Sequence, residues 1–194
     1  VMDEATLLTV LQLLEQHMAL SRQLRGPVRL EHASVCAPEW DEELRKMGVW
    51  VATQPGFLYY RGDKYVREFP AEVQDWLYPV GRWLKLGIPV LATSDAPVSP
   101  PNVFQQLSAI CTRQTKGGRI VGSAKYEIEP LRLLELYTRM PALALGLKEA
   151  GSLSPGKRAD WVVVAPHPLK IPIAEWGSIQ VLETHIGSQM LYAL

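Results

Sequence analysis

The chain has 194 residues, and 20 Lys and Arg balance 20 Asp and Glu, for a formal net charge of zero. Interspersed charge of this kind gives no field able to hold a nucleic acid or an acidic membrane surface, so the expected partner is a small-molecule substrate. The length suffices for one domain with a sizeable core, or one domain plus part of another, and falls short of a complete eight-fold α/β barrel.

Cys36 and Cys111 stand far apart with no CxxC pair, which suggests a reducing, cytoplasmic setting and neither a disulfide framework nor a zinc knuckle. The longest apolar runs, Ile88 to Thr93 and Trp161 to Pro166, are strand-sized and far below the roughly 20 residues needed to cross a bilayer, so no membrane span is expected. The chain starts at Val1 inside a helical pattern, which reads as a fragment, a processed chain or an incomplete gene model.

Asp3 can cap a helix whose apolar residues Leu7, Leu8, Leu11, Leu14 and Met18 recur at three and four. Gly26-Pro27 closes it, and Val28 to Ala33 is a short extended run. Pro38 then opens a helix through Trp40, Leu44 and Met47, closed by Gly48. Val49 to Thr53 is the next strand. Gln54 to about Asp75 carries five aromatic residues, mixed charge and no clean period, and is expected to be a long functional loop with at most a short helix.

Trp76 to Leu86 resumes helical spacing and stops at Gly87; Pro89 to Ser94 is a third strand, and the proline-rich Asp95 to Asn102 a loop. Helices are expected over Val103 to Gln114 and Pro130 to Leu145. This alternation argues for parallel β/α units over 1–150. In 151–194, Trp161 to Ala165, Ile179 to His185 and Gln189 to Ala193 read as short antiparallel strands of a small β-rich tail.

Two polar clusters close strands: Leu30-Glu31-His32-Ala33 and Thr93-Ser94-Asp95-Ala96-Pro97. In β/α barrels the chemistry sits at the C-terminal strand ends, where an imidazole and a carboxylate can converge on a divalent cation, zinc above all. On the residues alone, a single strand-end histidine is as compatible with a structural role as with metal binding, and an aspartate after a strand is often a turn residue.

The ordered set Arg29-Leu30-Glu31-His32-Ala33, Met47-Gly48-Val49, Thr53-Gln54-Pro55 and Thr93-Ser94-Asp95-Ala96-Pro97-Val98 resembles the amidohydrolase superfamily, specifically amidohydrolase family 3. Leu136-Tyr137-Thr138, Pro141-Ala142, Gly151-Ser152-Leu153, Pro155-Gly156-Lys157 and Ala159-Asp160-Trp161-Val162-Val163-Val164 follow in the family's order. The resemblance implies an α/β fold that is the C-terminal half of a TIM-like (β/α)8 barrel, strands six to eight, with part of an accompanying β-sandwich.

It further implies that His32 is a metal ligand, that Asp95 is a ligand and the general acid/base, and that the activity is hydrolysis of an amide or other C–N bond by metal-activated water. Thr93 stands where the family commonly has glycine, and Ala165 where an aspartate often closes the strand. The family's earlier ligands have no counterpart here, so this chain alone is expected to bind metal weakly.

Tyr59, Tyr60 and Arg61, in the aromatic segment, are the candidate substrate contacts. Arg113 is expected at solvent or in an ion pair, Glu31 in an ion pair on the face opposite His32, and Cys36 as packing. His17, His167 and His185 are not expected to bind metal. The alternative to an enzyme is a non-catalytic half-barrel with a structural or interaction role; its open edges would favour self-association, so a homo-oligomer is expected in that case.

Overall fold

The computed structural model describes residues 3–17, 26–123 and 125–194. Asp3 caps α1 (Glu4–Gln16) as its spacing predicts, accepting from Thr6 N at 2.8 Å, and Leu7 and Leu11 are buried. Met18 lies outside the described residues.

Three short strands, β1 (Arg29–Glu31), β2 (Trp50–Thr53) and β3 (Val90–Ala92), form a parallel sheet in sequence order, with Leu30 opposite Val51 and Val51 opposite Val90. A 3-10 turn (Pro38–Trp40) and α2 (Asp41–Met47) connect β1 to β2. Acidic residues fill the first turn of α2 and Arg45 and Lys46 its last, each matched to the local end of the helix dipole. Gly48 then turns the chain at φ +62°, a conformation glycine adopts without a Cβ penalty.

The segment expected to be a loop is helical. Between β2 and β3 lie α3 (Gly56–Glu68), α4 (Ala71–Trp76) and α5 (Val80–Lys85). The buried face of α3 is made by Gly56, Phe57, Leu58 and Gly62, so half of it is glycine and the apolar period that announces a helix is missing. A Cβ on Gly62 would sit 2.5 Å from Thr115 Cγ2, so close backbone packing at the glycines adds to the burial of Phe57 and Leu58 in holding this helix in place. Over Trp76 to Leu86 the helix is interrupted: Trp76 ends α4 and α5 begins at Val80, because Tyr78 takes φ +46° and breaks the chain between them.

α6 (Val103–Thr112) follows β3, with Asn102 accepting from Gln105 N. The helix expected over Pro130 to Leu145 is two: α7 (Pro130–Glu135) and α8 (Arg139–Ala144). The break frees the Leu136 carbonyl, which accepts from Ala92 N at 2.9 Å on the outer edge of β3.

Leu30, Val51 and Val90 face the helices and share one core with Leu7, Leu11, Leu44, Trp83, Leu107 and Ile110. Ala52 and Leu91 point to the other face, where Met140 of α8 covers them. The tail reaches the first core as well. Trp176, in a 3-10 segment at Ile173–Ser178, is fully buried and meets Phe104 edge-on at 6.1 Å.

The remaining strands β4 (Trp161–Ala165), β5 (Gln180–Ile186) and β6 (Gln189–Ala193) form an antiparallel sheet in that order. Gly187 and Ser188, both at positive φ, make the two-residue turn joining β5 to β6. Among the described residues no helix is long and apolar enough to cross a membrane.

Arg113 is not at solvent. It is fully buried, and its guanidinium donates to three backbone carbonyls: Val121 at 2.7 Å, Leu77 at 3.0 Å and Gln74 at 2.7 Å. Five fixed donors let an arginine satisfy itself on carbonyls without a carboxylate partner. Burial pulls its pKa below the ordinary value.

Candidate active site at the strand ends

A parallel sheet delivers the ends of all its strands to one side, and the polar residues of β1, β2 and β3 collect there. The backbone leaves β1 sharply: His32 has φ +72° and Ala33 φ +46°. His32 N still donates to Ala52 O at 2.8 Å, which keeps the turn in register with β2. Left-handed conformation at a non-glycine residue costs on the order of 1–3 kcal/mol and tends to collect at functional sites. Asp95, leaving β3, shows the same strain at φ +55°.

The loop carrying His32 is fastened beyond it. Cys36 N donates to Trp76 O and Tyr78 N to Ser34 O, both at 3.0 Å. The loop carrying Asp95 is fastened by its own side chains: Asp95 N donates to Thr93 Oγ1 at 3.3 Å, Ala96 N to Ser94 Oγ at 3.2 Å, and Ser99 Oγ to Ser94 O at 2.6 Å. Thr93, in the position where the resemblance leads one to expect glycine, thus has a task that glycine lacks. Beneath it, buried Gln106 donates to Pro100 O at 2.8 Å and accepts from the Tyr137 hydroxyl.

Polar atoms at these strand ends are buried without hydrogen-bond partners among the described residues: His32 Nδ1, Thr53 Oγ1 and Gln54 Oε1. Such atoms are rare in folded proteins because each costs on the order of 1–3 kcal/mol. An imidazole nitrogen kept clear of protein donors and acceptors fits a metal ligand. Among the described residues, no group of three or more His, Cys, Asp and Glu side chains lies close enough to hold a metal ion.

Glu31 pairs with Arg29 on the sheet face away from the helices. A groove of about 380 Å³ runs beside them, lined by Ala52, Leu91, Thr93, Ser94 and Tyr137 among others. Two larger hollows, of about 540 and about 610 Å³, lie away from the strand ends.

Tyr59, Tyr60 and Arg61 stand on the first turns of α3, not on a loop. The two tyrosine rings meet edge-on at 5.0 Å, and the Arg61 guanidinium lies 5.2 Å from the Phe57 ring centre. Phe57 in turn packs edge-on against Tyr78, whose backbone holds the His32 loop. None of the three lines the groove beside Thr93 and Ser94.

The other histidines are occupied elsewhere. His17 ends α1, His167 Nδ1 accepts from Leu169 N at 3.1 Å, and His185 stacks on Trp161 with ring centres 3.6 Å apart while meeting Glu183 at 2.8 Å. Cys36 is fully buried, and desolvation pushes its thiol up to about 12. Residue-by-residue reading missed Thr53, Gln54 and Gln106. The first two belong to the Thr53-Gln54-Pro55 motif, but a lone Thr or Gln after a strand carries no chemical signature until its burial is known.

Parallel β/α units with an imidazole and a carboxylate at the strand ends describe an α/β scaffold with polar side chains gathered on one side of its sheet. The sequence profile of the Amidohydrolase family matches residues 2–192, and the chain belongs to that family. It is 27% identical over 184 residues to the N-substituted formamide deformylase of Arthrobacter pascens, an alignment covering 92% of this chain and 34% of that protein. The chain therefore spans about a third of this curated relative's length.

Among solved structures, it resembles an uncharacterized metal-dependent hydrolase from Pyrococcus horikoshii, with a TM-score of 0.70 and 21% identity over 89% of this chain and 34% of that one. It also resembles an adenosine deaminase from Xanthomonas campestris with bound zinc, with a TM-score of 0.57 and 16% identity over 84% and 36% of the two chains. An amidohydrolase from Thermotoga maritima is similar over 96% of this chain and 54% of its own, with a TM-score of 0.52 and 19% identity. At these identities the likeness to solved structures is one of fold.

Proposed function

We propose that this chain is part of a metal-dependent hydrolase that cleaves an amide or other C–N bond of a small molecule, and that it supplies His32 and Asp95 to the metal site. The observation that carries the reading is His32 Nδ1, buried without a protein partner where the backbone turns out of β1. In this reading the sheet is strands six to eight of a (β/α)8 barrel, and β4 to β6 belong to the β-sandwich beside it. A divalent cation, zinc by the chemistry of the donor set, would acidify a water and polarise the scissile carbonyl.

His32 holds its place through the backbone bond to Ala52, with its imidazole nitrogen left free to ligate. Asp95 takes the proton of the attacking water and returns a proton to the leaving nitrogen, so the C–N bond breaks to give a carboxylic acid and an amine. Tyr59, Tyr60 and Arg61 are proposed to shape the substrate side of the pocket from the start of α3. Two ligands fall short of the three that a catalytic zinc usually keeps, so activity is assigned to the longer protein and not to these residues alone. The name of the Arthrobacter relative makes N-substituted formamides the first substrates to try.

The test is made on the longer protein containing this chain, with bound metal measured by elemental analysis and turnover measured on N-butylformamide and other small amides. His32→Ala is expected to lower metal content, and Asp95→Ala to lower kcat by at least about 100-fold with the fold intact. Unchanged metal content and turnover in both variants would sink the assignment. A non-catalytic half-barrel is the second reading, favoured by the absence of a third ligand among the described residues.

A further inference from the structure

We propose that Gln54 selects substrates that carry an N–H on the scissile amide, by accepting that hydrogen bond on Oε1. The inference rests on the hydrolase reading above. Gln54 follows directly on β2, the middle strand, between the strand ends that carry His32 and Asp95. Val51 faces the helices and Ala52 the opposite side; alternation along the strand carries Gln54 to the side of Ala52, away from the helical core.

Gln54 is 2% exposed, yet its side-chain amide is barely used. Nε2 reaches Ala52 O at 3.5 Å, the outer limit of a hydrogen bond, and Oε1 has no partner among the described residues. That contact favours this orientation, because turning the amide over would set Oε1 against the Ala52 carbonyl, oxygen against oxygen. What remains is a desolvated acceptor with no donor.

Neighbouring buried amides behave differently. Gln74 donates to Phe69 O and accepts from Gly122 N, and Gln106 is tied at both ends to Pro100 and Tyr137. An acceptor held dry at a strand end calls for an N–H or O–H donor from the ligand, and a secondary amide brings one on the atom next to the scissile carbonyl. A site built to receive such a hydrogen discriminates strongly against analogues without it, since the acceptor is then buried unpaired.

The experiment compares Gln54→Met, which keeps length and removes the acceptor, with the unaltered full-length metalloenzyme on N-butylformamide and N-butyl-N-methylformamide; Gln54→Leu is the second variant. The expected result is a loss on the order of 10- to 100-fold in kcat/KM for the secondary amide, with the tertiary amide unaffected and the melting temperature unchanged or raised. An equal loss on both amides overturns the inference. So does a drop of more than about 5 °C in melting temperature in both variants, which would show that the fold itself uses the amide.

If the unaltered enzyme hydrolyses neither compound, the choice of N-substituted formamides fails separately from the hydrolase reading, and Gln54 is judged by ligand-induced thermal shift. Stabilisation by N-butylformamide that Gln54→Met abolishes supports the acceptor role; no shift in the unaltered protein overturns it.

Discussion

The two sheets of this chain are built from similar residues and meet water very differently. In the parallel sheet, β3 is buried along its whole length and β2 at all but its first residue, because helices cover one face and Met140 of α8 the other. In the antiparallel sheet every residue of β6 is exposed, including Met190, Leu191 and Tyr192, and Val162 and Ile186 add to the apolar surface. A strand's composition therefore does not decide its burial; the layer packed against it does. The tail is anchored instead through Trp176, which enters the core of the parallel unit beneath α6.

The contrast can be broken first at Arg113. Arg113→Ala removes a fully buried side chain and strips three carbonyls of their donor, and is expected to destabilise the parallel unit by about 3 kcal/mol, read from urea unfolding. A change below about 1 kcal/mol would mean that those carbonyls find other donors. The effect should be no smaller when the tail sheet is perturbed.

A smaller effect comes from the two thiols, buried Cys36 and half-buried Cys111, both in the parallel unit. Desolvation holds Cys36 at about 12 and Cys111 at about 11, above the ordinary 9.0 that each regains on unfolding. The unfolded chain thus releases these protons first, and stability present below pH 9 is lost as pH rises toward the native values. Cys36 alone contributes a slope of up to about 1.4 kcal/mol per pH unit in that window. Cys36→Ala should flatten the alkaline fall in the urea midpoint, and at pH 8 neither native thiol should react with a thiol reagent at the unfolded rate. An unchanged slope in Cys36→Ala would remove this thiol as its source.

The smallest effect is expected in the tail. Leu191→Ser on β6 replaces an exposed apolar side chain and should change unfolding stability by less than about 0.5 kcal/mol, while raising solubility. A loss above about 2 kcal/mol would show that β6 is covered in solution, and would end the contrast between the sheets.

Much of the local order was legible from residue spacing. The Asp3 cap, the left-handed Gly48 and Gly87, β4 and β6 all follow rules that operate within a few residues. α3 was not legible, because Gly56 and Gly62 contribute to its buried face and their purpose is close approach to Gln106 and Thr115, distant in sequence. The broken helix after Pro130 was missed for a related reason: the interruption at Leu136 serves the edge of β3, more than 40 residues earlier.

At the site, His32 and Asp95 stood out because they close strands within ordered motifs that resemble the amidohydrolase family, and their side chains are of types able to bind metal or carry a proton. Thr53, Gln54 and Arg113 did not, since their significance lies in burial and in which backbone groups they meet. The sequence by itself determined the strands, the caps, the family and the residue types at the strand ends, all encoded in short-range pattern and ordered motifs. Only the tertiary structure decided which polar atoms are left without partners and which cation is buried, because desolvation is a property of everything packed around a group and not of its neighbours in the chain.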